Sequence, residues 1–300
     1  MSTRFPPLMQ KSHDDGSEAA LQTFFAFILI WEALFHVARF SLKTVLTLYP
    51  SLSAHGSKHH SGNGRISTKE QRKLSDSGEH TLLQRGPSYA VSLIHSIVVT
   101  GRGVMHLYHL WNASNFDKLL IPGKDLVNSY RSAHLRVTAT NTMFLSYLIY
   151  DLFHIVMQFP KLGGVDTIMH HLLFALCSVI NGTYGIMPFS FGWLIVGELS
   201  TIFLNLRWFL LKSGRERTAL LDKINGLFAA TFFLTRIGIY SAGVIHLFYY
   251  SFPELCRLPD ESGVPVAFLG LTCGCILLGL GLNILWGYKI LGMVTKPKNA

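Results

Sequence analysis

Apolar residues fall along this chain in seven long blocks, each near the roughly 17 to 25 residues that a helix needs to cross a bilayer. They run from Leu21 to Leu48, Tyr89 to Trp111, Ala139 to Phe159, Asp166 to Met187, Phe189 to Leu211, Ile224 to Tyr250 and Val264 to Leu291. Blocks of this length and density predict an all-α membrane protein, a bundle of about seven transmembrane helices. Only Pro188 separates the fourth from the fifth; it cannot continue a helix and favours a turn, so the two are predicted to form a hairpin.

Polar residues interrupt these blocks at helical spacing. In the fourth, His171, Phe174, Ser178 and Asn181 stand at i, i+3, i+7 and i+10 and share a face, with His170 about 100° round from it. Glu198, Thr201, Asn205 and Trp208 repeat the pattern in the fifth, beside Arg207, and the two faces are predicted to look at each other. Asp151, His154 and Gln158 do the same in the third, and Arg236 sits in the middle of the sixth. Ionisable groups at membrane depth are costly and turn toward a bundle interior or a wet cavity. The expectation is one central cavity walled by these residues. Asp151 needs a partner there, and His154, His170, Arg207 and Arg236 are the candidates.

Other polar stripes are read differently. Glu32, His36, Arg39 and Lys43 on the first helix are expected to pair among themselves, with the two basic residues reaching the interface. His95, Arg102, His106 and His109 share a face of the second, which either lines the cavity or marks the helix end near Trp111. Gly270, Gly274, Gly279 and Gly281 are expected to let a neighbouring helix approach the last span closely.

Composition agrees with the pattern: 49% of the 300 residues are hydrophobic and 14% charged, which excludes an ordinary soluble domain. The net charge of +9 reads as topology rather than nucleic-acid affinity. Seven spans put fourteen Lys and Arg on the side of the C-terminus and seven on the side of the N-terminus. The positive-inside rule then predicts a cytosolic C-terminus and a lumenal or external N-terminus. The N-terminus is polar through Glu18 and the first block runs past a signal-peptide length, so it is read as an anchor rather than a cleaved signal. The expected organisation is a lumenal tail (1–20), a first helix (21–48), a flexible cytosolic loop (51–86), a membrane domain (87–291) and a cytosolic tail (292–300). His55, His59 and His60 in that loop are read as a solvated linker rather than a metal site, and Asn112-Ala113-Ser114 is formally a glycosylation acceptor. The four cysteines lack metal-ligand spacing; neither a disulfide nor a bound metal or cofactor is predicted.

The run YLIYDLFHIV, the His170-His171 pair, the run ELSTIFLNLRWF and the earlier VSLIHSIVV together resemble the TLC domain, over about Pro87 to Leu291. That domain is shared by translocating-chain-associating membrane proteins, Lag-type ceramide synthases and a group of TLC-domain-containing proteins without assigned chemistry, to which the resemblance is strongest. It implies six or seven helices around a central cavity open toward cytosol and lipid. In ceramide synthases two histidines and two aspartates line that cavity, where a fatty acyl group passes from acyl-CoA to the amine of a sphingoid base. Carried over, the histidines are His170 and His171, the first aspartate falls on Glu198 and the second on Thr201. A histidine can serve as base or transient acyl acceptor, with a carboxylate such as Glu198 orienting it; Thr201 supplies no second carboxylate.

The resemblance therefore implies a lipid-handling protein whose cavity binds an acyl lipid or sphingolipid and which influences membrane lipid composition. Two alternatives stand beside it: an acyltransferase with acyl-CoA as substrate, and a structural helper of membrane proteins. A homo-oligomer is left open. Lys296 and Lys298 near the C-terminus resemble a dilysine retrieval signal, which adds an expected endoplasmic-reticulum address.

Overall fold

The computed structural model describes residues 7–49, 68–113, 128–214 and 218–295. The His55–His60 cluster, Ser114 of the glycosylation motif, Lys296 and Lys298 lie outside them. The described residues are helical throughout, with short connections. Helix α1 spans Pro7–Leu48, α2 Thr68–Ala113, α3 Asn128–Met157, α4 Val165–Tyr184, α5 Pro188–Val196 and α6 Leu199–Lys212. Helix α7 runs over Ala219–Tyr250, α8 over Phe252–Ser262 and α9 over Val266–Thr295.

Six stretches are long and apolar enough to cross a membrane: Glu18–Leu48, Glu79–Asn112, Val165–Tyr184, Pro188–Lys212, Ala219–Tyr250 and Val266–Gly292. The block expected over Ala139 to Phe159 is helical as part of the 30-residue α3 but carries too many polar positions to join that set. The reason is its place in the bundle. Helix α3 packs against α1, α2 and α4, and its Thr140, Asn141 and Ser146 are buried among them, so lipid does not select its composition.

Two boundaries differ from expectation. Helix α2 starts at Thr68, so the segment 68–86 is helix rather than loop, and Pro87 lies inside it. Helix α1 likewise starts at Pro7, inside the expected tail. Apolar blocks locate the part of a helix that lies in lipid; backbone hydrogen bonding carries the helix on past it.

Outward-facing positions are apolar, as a surface bathed in acyl chains requires: Leu29 is 71% exposed, Phe40 74% and Tyr288 81%. The core is knit by aromatic groups. His95 of α2 stacks on Tyr147 of α3 with ring centroids 3.5 Å apart, Trp31 of α1 meets both rings edge-on, and its indole N–H donates to Ser146 Oγ at 3.0 Å. Close approach elsewhere depends on glycine. A methyl at Gly243 on α7 would overlap the Trp193 ring, and one at Gly103 would stand 2.9 Å from Ile195. The glycines of α9 do less than expected: Gly279 meets the Tyr240 hydroxyl, whereas Gly270, Gly274 and Gly281 face open space. Small residues let a neighbour approach only on the face where a neighbour lies.

The hairpin between the fourth and fifth blocks is a short turn. Gly185 closes α4 in the left-handed region (φ 63°), where a side chain would be strained, Met187 follows at φ 52°, and Pro188 opens α5 at a position that needs no amide proton. Helix α4 then packs on α3 and α9 rather than on α5 or α6. The space so left is the cavity.

Candidate functional site

A cavity of about 420 Å³ lies inside the bundle. The lining comes from Ser88 to His95 of α2, Phe144 to Ile155 of α3, Asp166 to His171 of α4, Glu198 to Asn205 around the start of α6, Phe228 to Arg236 of α7, and Trp286 to Ile290 of α9. Because successive spans alternate in direction, the cavity runs from mid-span toward the end of the bundle where α3 finishes and α4 begins. Asp166 and Lys289, with side chains 41% and 68% exposed, stand at its mouth, where the Asp166 carboxylate accepts from Trp286 Nε1 at 3.0 Å and from Lys289 Nζ at 3.4 Å.

Two buried ion pairs form the polar part of the wall. His171 Nε2 lies 2.9 Å from Asp151 Oδ2, and its Nδ1 lies 2.9 Å from the Thr167 carbonyl. A carbonyl only accepts, so Nδ1 carries a proton and donates it; the second ring nitrogen faces the carboxylate and shares a proton with it. Whether that proton sits on ring or carboxyl, the pair is neutral overall and both nitrogens of His171 are engaged. Asp151 has its partner, but it is none of the four candidates named from sequence. The rings of His170 and His171 meet edge-on with centroids 5.7 Å apart, and proximity along the chain gave no hint which would pair with α3.

Arg236 makes the second pair. Its Nη2 donates to Glu198 Oε1 at 2.8 Å and to Thr201 Oγ1 at 3.1 Å, while Nε donates to the Gly197 carbonyl and to Ser200 Oγ, each at 3.1 Å. Local backbone geometry produces this cluster. Between α5 and α6 the chain tightens, with Gly197 bonding Leu194, Glu198 bonding Ile195 and Thr201 bonding Glu198 at i to i+3 spacing, and the Gly197 carbonyl turns to the guanidinium. Around Arg236 the opposing helix widens instead, and Phe233–Ile239 is π-helical, a distortion frequent at functional sites. Glu198 thus neutralises Arg236 rather than orienting either histidine.

His170 lines the cavity between these pairs and makes no hydrogen bond to the described residues; its ring lies 5.3 Å from Trp286 and 4.6 Å from Phe174. Asn205 lines the cavity too and donates to Ser92 Oγ at 3.0 Å.

Five residues expected in the wall lie off it. Ser178 and Asn181 are buried against α3, where the Ser178 carbonyl accepts from Asn141 Nδ2 at 2.8 Å. His154 faces α1, 3.5 Å from Glu32 and stacked on Phe35 at 4.9 Å; Glu32 also pairs with His36 at 3.1 Å. Arg207 donates to Asn225 Oδ1 of α7 at 2.8 Å, and Trp208 stacks on Tyr89 at 4.0 Å. A polar stripe on a helix spans contacts with more than one neighbour, so its far members serve packing while its near members face the cavity. Sequence reasoning missed Ser88, Ser92, Tyr147 and Trp286. Ser88, Ser92 and His95 at i, i+4 and i+7, and Tyr147 one turn before Asp151, were the available signal.

A multi-pass helical membrane protein with paired charges around an internal chamber is the class these features define. The chain matches the TLC domain family model over residues 87–292 and belongs to that family. It is 34% identical to TLC domain-containing protein 4-B of Danio rerio over 211 residues, covering 68% of this chain and 71% of the relative. To the protein of the same name from Xenopus laevis it is 29% identical over 269 residues, 85% and 90% of the two chains, and to human TLC domain-containing protein 4 it is 30% identical over 211 residues, 68% and 71%.

Proposed function

We propose that this TLC-domain membrane protein holds an acyl lipid in the cavity and through it influences membrane lipid composition. The observation that carries the reading is the chamber itself. At about 420 Å³ it falls near the low end of ligand-binding pockets, roughly 300 to 1,000 Å³, a size for one acyl chain with a compact polar group. Its walls mix Phe144, Leu148, Ile155 and Leu204 with His170 and the two neutralised ion pairs. The test is mass spectrometry of lipid that co-purifies with the protein. One class of acyl lipid should be enriched over bulk membrane lipid and lost in Ser92→Phe, which fills the chamber; an unchanged profile in the variant overturns the reading.

Acyl transfer is the second reading, and the uncommitted ring of His170 favours it. In that reaction the amine of a long-chain acceptor attacks the thioester carbonyl, His170 takes the amine proton, the C–S bond breaks, and the proton passes to the departing thiolate. His171 holds the chamber's charge with Asp151 and does not touch the reacting atoms. Purified protein given acyl-CoA and a long-chain amine should then form amide, and His170→Ala should abolish it; no product from the wild type refutes this reading and leaves the first intact. The excess of Lys and Arg on loops at the cavity end supports a mouth facing the cytosol, where acyl-CoA resides, in the endoplasmic reticulum.

A further inference from the structure

One face of α2 carries Arg85, Ser88, Ser92 and His95 at i, i+3, i+7 and i+10. The last three line the chamber. Arg85 continues their row one turn toward the mouth, close enough for its charge to act on Tyr89, which is also in the wall. Ser92 Oγ accepts from Asn205 Nδ2 at 3.0 Å. Arg85 and Ser88 are not so served. Ser88 is 4% exposed and its hydroxyl is buried with no partner among the described residues; the Nε of the partly buried Arg85 is buried with none either. A buried donor left unmatched is costly, more so when it is charged. Two of them in succession, leading from the mouth into a chamber, mark where a ligand supplies the acceptors.

Depth fixes the kind of acceptor. The apolar block from Tyr89 to Trp111 rises about 33 Å as helix, against a hydrocarbon core of about 30 Å, and its two aromatic ends suit the two interfaces. Arg85 lies one turn before Tyr89, about 6 Å beyond the hydrocarbon on the side of the mouth. That is the headgroup layer. Ser88 is about 4.5 Å further in, the level at which a lipid carries its glycerol and ester oxygens. At the same mouth the Asp166 carboxylate is taken up by Trp286 Nε1 and Lys289 Nζ, so its charge is already offset.

We propose, resting on the acyl-lipid reading of the chamber, that its ligand is a monoacyl phospholipid: Arg85 binds the phosphate, Ser88 a glycerol or ester oxygen, and the single chain fills the chamber. A guanidinium fork matches two phosphate oxygens side by side. The volume of about 420 Å³ holds one chain rather than two, which selects the monoacyl form over a diacyl lipid.

Native mass spectrometry of the full chain, delipidated in a maltoside detergent, tests it. Oleoyl lysophosphatidic acid, monooleoylglycerol, coenzyme A and inorganic phosphate are titrated in turn. Arg85→Gln should weaken binding of lysophosphatidic acid about fivefold, the loss expected for one basic residue at a membrane surface, and leave monooleoylglycerol unchanged. Ser88→Ala should weaken both lipids about fivefold, the loss of one net hydrogen bond. Arg85→Lys keeps the charge but not the fork and should fall between; it decides the matter if the glutamine variant does not fold. Equal binding of lysophosphatidic acid to wild type and both Arg85 variants would overturn the phosphate site, and the chamber reading would still stand if Ser92→Phe abolishes binding of monooleoylglycerol. Lysophosphatidic acid that binds Ser92→Phe as well as wild type would put the chain outside the chamber and overturn both. Tighter binding of coenzyme A or inorganic phosphate than of lysophosphatidic acid, lost in Arg85→Gln, would assign the site to a soluble phosphate and overturn the lipid assignment.

Discussion

Removing Arg236 should cost more stability than removing the carboxylate it faces. In Arg236→Met four hydrogen bonds disappear, to Gly197, Ser200, Glu198 and Thr201. At the roughly 0.6 kcal/mol average for interhelical bonds in membranes they total about 2 to 3 kcal/mol. Glu198, with its side chain only 16% exposed, is left stranded, and breaking a buried pair from one side raises the cost to about 3–5 kcal/mol. Glu198→Gln keeps an amide oxygen near the guanidinium, which retains its other three acceptors, but it leaves the buried cation without its counter-charge, so about 2–3 kcal/mol is expected. The double variant strands nothing and should lie nearer to Glu198→Gln than to Arg236→Met, a coupling of at least about 1 kcal/mol. Equilibrium unfolding in mixed micelles measures all four proteins. An Arg236→Met stability within about 0.5 kcal/mol of wild type, below the typical range for such a loss, or strict additivity in the cycle, would refute the pairing.

The other expectations concern packing and the histidines. Asp151→Asn and His171→Gln should each cost about 1–3 kcal/mol and be strongly non-additive in the same unfolding assay, because they delete the same contact; additive losses would mean that the two do not meet. Gly243→Val should destabilise by about 1–3 kcal/mol through overpacking against Trp193, whereas Gly270→Ala, which meets nothing within 4 Å, should leave the melting temperature unchanged or slightly raised. Trp31→Phe, which loses the bond to Ser146 and part of a buried ring, should cost about 1–3 kcal/mol, and increased protease sensitivity of α1 would be its readout.

Most of the helices were legible in the sequence because lipid imposes a composition on whatever it touches, and the blocks from Leu21 to Leu48 and Val264 to Leu291 stand out for that reason. Helix α3 was legible only in part. Its central residues contact other helices rather than lipid, so Thr140, Asn141 and Ser146 obey packing instead of hydropathy. In the cavity, helical spacing grouped Glu198 with Thr201, and both line the wall, yet it could not say which member of a stripe faces which neighbour: His171 lines the wall while Phe174, on the same stripe, belongs to the packed core. Asn181 and Trp208 share faces with cavity residues, but Asn181 is buried against other helices and Trp208 lies on Tyr89. Partner choice was equally hidden. Asp151 meets His171 because α4 packs directly on α3, and Glu198 meets Arg236 because the chain tightens at Gly197 and the opposite helix widens at Arg236. Both depend on backbone geometry that no spacing rule contains.

A photoactivatable fatty acid, cross-linked to the purified protein and mapped by peptide mass spectrometry, addresses the chamber most directly. Labelling concentrated on Phe144, Tyr147, Leu204, Phe228 and Trp286, and suppressed in Ser92→Phe, is the predicted result. Labelling spread over the outward-facing Ile97, Phe153 and Tyr288, and unaffected by that substitution, would contradict it.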